Sequence, residues 1–392
     1  MRFARLSVAF FFQICLLYRS IGEEVLYEQG INPYPFQIIV PVNVGGQVLS
    51  FLFDTGASSH MLDSAKGNLL QTYLGKGSLR GLGPDGGTSY FEAPELRIGK
   101  WKLPHDVIGL TDCAGFRRGL GVDIRGFLGI KAIKQTAVEV NFDKKQFRVL
   151  AGFQRETVPA AIPRISLQPS ATTWKVFTIK AALEGEDVEL AVDTGTNECI
   201  GLKHERFEKL MRDGVIKEET ESRVVSRETV TGQHKTANGK FTRGKLLGIE
   251  LKDLPVQDTG KLESLGMLFL INFNFILDFQ GGEFFFQKRN AEPPIRHNLM
   301  LGSALTFLDG HCRVLALAPN GGPAQNAGIK PGDEILKLGP VSGKDICLSS
   351  IYELCLREAG HVIEVEFFHA GENQAIKVKL TIGRKQFVYP PR

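Results

Sequence analysis

The chain has 392 residues, 43% of them apolar and 23% charged, with 43 glycines and a formal charge of +4 at neutral pH. That length exceeds what one hydrophobic core ordinarily organises and points to two or three domains. The composition excludes a disordered or collagen-like chain, and the interspersing of acids with bases excludes a nucleic-acid-binding stripe. The short basic clusters Arg117-Arg118 and Lys144-Lys145 read as solvated loop and turn charges.

At the N-terminus, Arg2 and Arg5 precede an apolar run from Leu6 to Tyr18 broken only by Ser7 and Gln13. This is the pattern of an export signal, with cleavage expected near Gly22, so that residues 1–22 form the signal peptide. The run is short for a bilayer span. Membrane contact is therefore expected only through an uncleaved signal anchor, and the chain is expected in an exported location: secreted, periplasmic or in the cell envelope. Phe12-Gln13-Ile14 ahead of Cys15 lacks the small residues of a lipoprotein signal. The remaining cysteines, Cys113, Cys199, Cys312, Cys347 and Cys355, are odd in number and sparse, so buried free thiols are expected rather than a disulfide framework.

Short strands follow, at Phe36–Val44, Val48–Phe53, Leu96–Ile98, Val138–Phe142 and Phe147–Leu150, separated by Gly-rich turns. A similar series recurs at Val176–Leu183, Val188–Val192, Leu246–Leu251, Phe275–Phe279 and Phe284–Phe286. Two landmarks fix the comparison: Asp54-Thr55-Gly56 and Asp193-Thr194-Gly195 lie 139 residues apart, and Leu128-Gly129 and Leu265-Gly266 lie 137 apart. Two coincidences at nearly one period indicate a duplicated β-rich lobe. Pro159, Pro163 and Pro169 mark an extended connection between the copies, and Pro293-Pro294 a second break. The expected units are residues 33–152 and 171–288 for the two lobes and 298–383 for a C-terminal domain.

Each copy sets an Asp-Thr-Gly at the end of a hydrophobic strand. One such motif is an ordinary turn signal; a pair in equivalent places implies chemistry that needs two carboxyls. Two carboxyl groups held face to face cannot both ionise cheaply and share a proton, so that one can take a proton from water while the other protonates a carbonyl oxygen. Asp54 and Asp193 are the catalytic candidates. Thr55, Gly56, Ser58, Thr194, Gly195 and Thr196 are the supporting residues, the glycines because a close approach of the two loops leaves no room for a side chain.

These motifs resemble the aspartic peptidase family, in both its two-lobed pepsin-like members and its retroviral-type members that build the site by dimerisation. The resemblance spans about residues 33–288 and extends to Phe127-Leu128-Gly129 and Leu265-Gly266. It implies an all-β duplicated bilobal fold and an aspartic endopeptidase acting on protein or peptide substrates, with no metal and no cofactor. Both halves reside in one chain, so a monomer is expected. It further implies a mobile flap, for which Gly83, Gly86, Gly87, Thr88 and Tyr90 are candidates, with Thr229 to Gly244 the equivalent stretch in the second copy. Two departures stand out: Ala57, an alanine as in retroviral-type members where pepsin-like members usually carry a hydroxyl residue, and Ser264 in place of a usual hydrophobe.

Beyond Asn298, the run Gly322-Pro323-Ala324-Gln325-Asn326-Ala327-Gly328-Ile329-Lys330-Pro331-Gly332-Asp333 resembles PDZ domains, implying a small α+β domain. By that resemblance Leu301, Gly302, Ser303, Ala304, Leu305, Thr306 and Phe307 would form a carboxylate loop and sheet edge, with Ile351 on the opposite helix, for a C-terminal peptide ligand. No Gly-x-Ser-x-Gly, His-Glu-x-x-His or Cys-x-x-Cys occurs, which disfavours serine and zinc chemistry. The competing reading is a catalytically inactive exported scaffold that binds peptides through the same domains.

Overall fold

The computed structural model describes residues 23–31, 37–79, 85–170, 175–218, 224–229, 232–290, 301–318 and 321–383. The signal expected over residues 1–22 and the flap candidate Gly83 lie outside the described residues.

In the first half, alternating burial drives strand formation: Val40, Val42 and Val44 are fully buried on one face of the strand Ile39–Val44. That strand turns through Gly45-Gly46, both at positive φ, into β1 (Gln47–Phe53), a two-residue connection of the kind that matches strand twist. There follow β2 (His60–Asp63), the hairpin β3 (Tyr73–Leu79) and β4 (Gly86–Glu92), β5 (Val107–Thr111), helix α1 (Ala114–Leu120) and β6 (Ile124–Leu128). β6 runs parallel to β1 and antiparallel to β2, so it threads between them in a nine-stranded sheet of described residues.

The second half repeats this plan. Phe177–Leu183 turns through Glu184-Gly185, again both at positive φ, into β7 (Glu186–Val192). After it come β8 (Ile200–Lys203), helix α2 (His204–Arg212), the hairpin β9 (Val224–Thr229) and β10 (Gly232–Phe241), β11 (Pro255–Gly260) and the short β12 (Ser264–Leu265). β12 lies parallel to β7 and antiparallel to β8, as β6 does to β1 and β2. Sequence periodicity had not marked α2, although Phe207 and Leu210 bury its inner face.

The halves are joined by a run of six strands in the order Glu24–Gly30, Gln146–Ala151, Ala137–Asn141, Phe273–Asp278, Glu283–Lys288 and Arg164–Pro169. At its centre Val138 pairs with Leu277 and Val140 with Phe275, one strand from each copy. Pro163 precedes the last of these strands and Pro169 ends it, which places part of the proline-rich connection inside the sheet. One buried apolar cluster runs through both halves, from Val40 and Phe51 to Phe241 and Phe284. The architecture is an all-β bilobal body.

A separate buried cluster, including Leu301, Val314, Ile335, Leu354 and Phe367, organises the C-terminal part. There β13 (Ser303–Leu308), β14 (His311–Leu317), β15 (Glu334–Leu338), helix α3 (Leu348–Arg357), β16 (Val362–Phe368) and β17 (Ile376–Thr381) form a small α+β unit. β13 is an edge strand of its sheet. All five described cysteines are free thiols; four are buried and Cys347 is half-buried.

Candidate active site

β1 and β7 are fully buried along their last residues, Phe51 to Phe53 and Leu190 to Val192, and each ends at an aspartate. The threading strands hold the turns from behind: Asp54 N donates to Leu128 O at 3.0 Å, and Asp193 N to Leu265 O at 2.9 Å. Each aspartate then accepts from the glycine two residues on, Gly56 N to Asp54 Oδ1 at 2.9 Å and Gly195 N to Asp193 Oδ1 at 2.8 Å. Both carboxylates are thereby aimed by their own backbone.

The threonines lock one turn to the other. Thr55 N donates to Thr194 Oγ1 at 3.2 Å, and Thr194 N to Thr55 Oγ1 at 3.0 Å. Their hydroxyls in turn donate across to the opposite lobe, Thr194 to Phe53 O at 2.8 Å and Thr55 to Val192 O. Both side chains are essentially inaccessible to water, so these bonds meet no competition from solvent.

The crossed arrangement brings the two acids into contact. The two acids face each other across the crossed loops, and burial followed by the Asp193 charge holds Asp54 well above the usual carboxylate range. A Cβ on Gly56 would stand 2.4 Å from Asp193 Cγ, and one on Gly195 2.3 Å from Asp54 Cγ. No residue but glycine fits either position without separating the acids.

The remaining supporting candidates sit on the same loops. Thr196 O accepts from Met267 N at 3.0 Å, matching Ala57 O and Ile130 N at 2.8 Å. Ser58 is half-buried between Gly56 and β2. Ser264, unexpected from sequence, is fully buried and donates to Glu198 Oε2 at 3.3 Å.

Of the flap candidates, Gly86 and Gly87 are exposed on β4, while Thr88 is buried and its hydroxyl both donates to Leu110 O and accepts from Leu110 N. Tyr90 lies over Gly77 and Gly109, where a Cβ would meet its ring, and its hydroxyl donates to Ser78 O at 3.3 Å. Asp85, at the foot of β4, pairs with Lys261 of the second lobe at 2.8 Å. The hairpin is thus tied to both lobes.

Sequence reasoning missed three supports. Arg117 and Arg125 both bind the buried Asp63 at the end of β2, so Arg117 is not the solvated loop charge expected. Burial works to raise the Asp63 carboxyl, but hydrogen bonds from Arg125 and Arg117 outweigh it and hold the group below the usual range. His60, fully buried, accepts from Gly129 N through Nδ1 at 3.2 Å, and burial lowers its pKa to about 4. Gln37 is 8% exposed and donates through Nε2 to Gly195 O at 3.1 Å. Local sequence gives no signal for these, since each partner is distant along the chain.

In the C-terminal unit, Leu301, Phe307 and Ile351 are buried in its apolar cluster, and Ser303 is also buried. Gly302 has φ +75 and packs on Gly322 and Pro323. Ala304, Leu305 and Thr306 are half-buried on β13. Helix α1 of the first lobe packs against β13 and touches α3.

No protein-family model matches the sequence, and no curated protein matches it. Among solved structures, the aspartic proteinase from Irpex lacteus matches with a TM-score of 0.42 and 14% identity, over 67% of this chain and 98% of that one.

Proposed function

We propose that this protein is an aspartic endopeptidase, in which Asp54 and Asp193 activate one water for attack on a peptide carbonyl. The observation that carries this reading is the facing carboxyl pair, each packed on the glycine of the opposite loop, at the centre of the crossed threonine bonds. With one proton between them, the ionised acid takes a proton from water as it adds to the carbonyl, and the protonated acid gives its proton to the carbonyl oxygen. When the tetrahedral adduct collapses, the proton taken from water passes to the leaving nitrogen while the other acid takes back a proton from a hydroxyl of the adduct, so that the carbonyl re-forms and the pair again holds one proton.

Under this proposal the units are residues 33–152 and 171–288 for the lobes and 298–383 for a PDZ-like domain that recognises peptide or substrate or regulates cleavage. The β3–β4 hairpin serves as flap. The chain works as a monomer in an exported compartment, after removal of residues 1–22 or anchored by them. Among the described residues no helix is long and apolar enough to cross a membrane.

The test is hydrolysis of a peptide library from acid to neutral pH by the wild-type chain, Asp54→Asn and Asp193→Asn. Turnover lost in both variants supports the proposal; absence of turnover in all three, with peptide binding retained, supports the scaffold reading instead.

A further inference from the structure

We infer that the C-terminal domain is a wall of the substrate cleft, its helix α3 completing a side-chain pocket beside Asp54 and Asp193. The inference rests on the peptidase reading above. Its starting point is Gln37, whose carboxamide nitrogen is bound to Gly195 O, next to the loop that carries Asp193. From Gln37 and from Asn197 on that same loop, a cavity of about 150 Å³ opens between the body and the C-terminal domain. Leu120 and Val122 bound it on the first lobe; Leu348 and Ser349, the first residues of α3, bound it on the other side.

The lining states what the pocket takes. Leu120, Val122 and Leu348 are apolar, and an apolar space of about this volume accepts a group the size of benzene. Gln37 Oε1 and Asn197 Oδ1 are buried with no hydrogen-bond partner among the described residues. Both are acceptors, and an unsatisfied buried acceptor costs about 1–3 kcal/mol. An extended peptide supplies both needs: a medium-sized apolar side chain for the cavity and backbone N–H groups for the two oxygens. A carboxylate or phosphate would bring more acceptors and fits neither.

The wall is held in place by contacts specific to the first lobe. Residues 112–123 between β5 and β6 contain α1, whereas only residues 261–263 separate β11 from β12 in the second lobe. Helix α1 ends at Gly121, φ +69, where a Cβ would stand 2.7 Å from the Phe307 ring of β13. Thr306 Oγ1 donates to Arg118 O at 3.4 Å. Tyr352 of α3 packs into the apolar cluster of the body. The start of α3 is fixed by Cys347 N donating to Ser350 Oγ at 2.9 Å, and Ser350 Oγ to Asp345 O at 2.8 Å. With α1 on one lobe alone, the C-terminal domain shapes one end of the cleft and leaves the other to the body.

The experiment is positional scanning of cleavage by the full chain, comparing wild type with Leu348→Trp, which fills the pocket, and Leu348→Ala, which enlarges it. At one fixed position relative to the scissile bond, Leu348→Trp is expected to lower kcat/KM for bulky apolar residues by about 10-fold or more, while substrates with glycine or alanine there change less than about 3-fold. Leu348→Ala shifts preference at that same position toward larger side chains. Ser349→Trp provides a second filling variant should Leu348→Trp fold poorly. An unchanged profile in the filling and enlarging variants, or uniform loss across all positions, overturns the inference. If wild type cleaves nothing, the peptidase reading fails on its own, and the pocket is tested by binding of the same peptides: affinity indifferent to Leu348→Trp and Ser349→Trp, or no binding at all, overturns it too.

Discussion

In the first lobe the loop carrying Asp54 is backed by His60 and by a buried aspartate gripped by two arginines, while in the second the loop carrying Asp193 is backed by Cys199 and by Glu263 with Arg206. The innermost layer nevertheless matches bond for bond: glycine to carboxylate, threonine to threonine, hydroxyl to the opposite carbonyl. The bonds that hold the two acids are the same in both lobes, while those behind them differ. The lesson is that the shared geometry of the acids tolerates different supports provided the crossed threonines hold.

The strongest break of this symmetry is chemical. Asp54→Asn and Asp193→Asn are each expected to lower kcat by about 10³-fold or more, equally in both lobes, measured as peptide hydrolysis. The Asp54 pKa is raised in the folded chain, so the unfolded chain loses its proton first and wild type is progressively destabilised as pH rises through the raised value. Asp54→Asn removes that penalty: its melting temperature should exceed that of wild type at neutral pH, and the difference should vanish in acid.

The match between lobes is probed next by Thr55→Val and Thr194→Val. Each leaves a buried N–H and a buried carbonyl without partners, for an expected loss of about 3 kcal/mol in urea unfolding, alike for the two. A large inequality would show that one loop alone carries the interface.

The divergent supports should respond unequally. Asp63→Asn removes the buried charge that Arg117 and Arg125 share, leaving Arg125 its surface partner Asp123 and Arg117 the carbonyl of Ile124, and should cost about 3 kcal/mol. Glu263→Gln should cost less, because it takes a charge from one arginine, Arg206, rather than from two, and Arg206 keeps Glu186. His60 sharpens the contrast on the acid side: its pKa is depressed to about 4, so stability present above the unfolded value of about 6.5 is lost as pH falls through 4. Replacing it with glutamine, which can still accept from Gly129 N, should flatten the fall in melting temperature over that window.

The smallest effect is expected where the lobes meet at the surface. Lys261→Ala removes an exposed pair with Asp85 and should change stability by less than about 1 kcal/mol and cleavage only a few-fold, with the difference shrinking in high salt.

Much of this molecule is readable from its residues. The glycines after each Asp-Thr announce a close approach, and the structure brings each within 2.4 Å of the opposing carboxyl carbon when a Cβ is imagined there. The strands ending in aspartate are visible from their unbroken apolar runs. Arg117 is the clearest failure: beside Arg118 it reads as a surface charge, and only folding brings Asp63, 54 residues away, to its guanidinium. Gln37 fails for the same reason, bound to a carbonyl 158 residues distant. Helix α2 escaped because its apolar face is narrow beside many charges.

By itself the sequence determined the duplication, the two acids and the β-rich character, because period, motif and apolar alternation are local properties written along the chain. Tertiary structure alone decided how closely the acids face each other, which charges brace them and where α3 packs on the body. These depend on partners tens to hundreds of residues apart, brought together by burial that no single segment encodes.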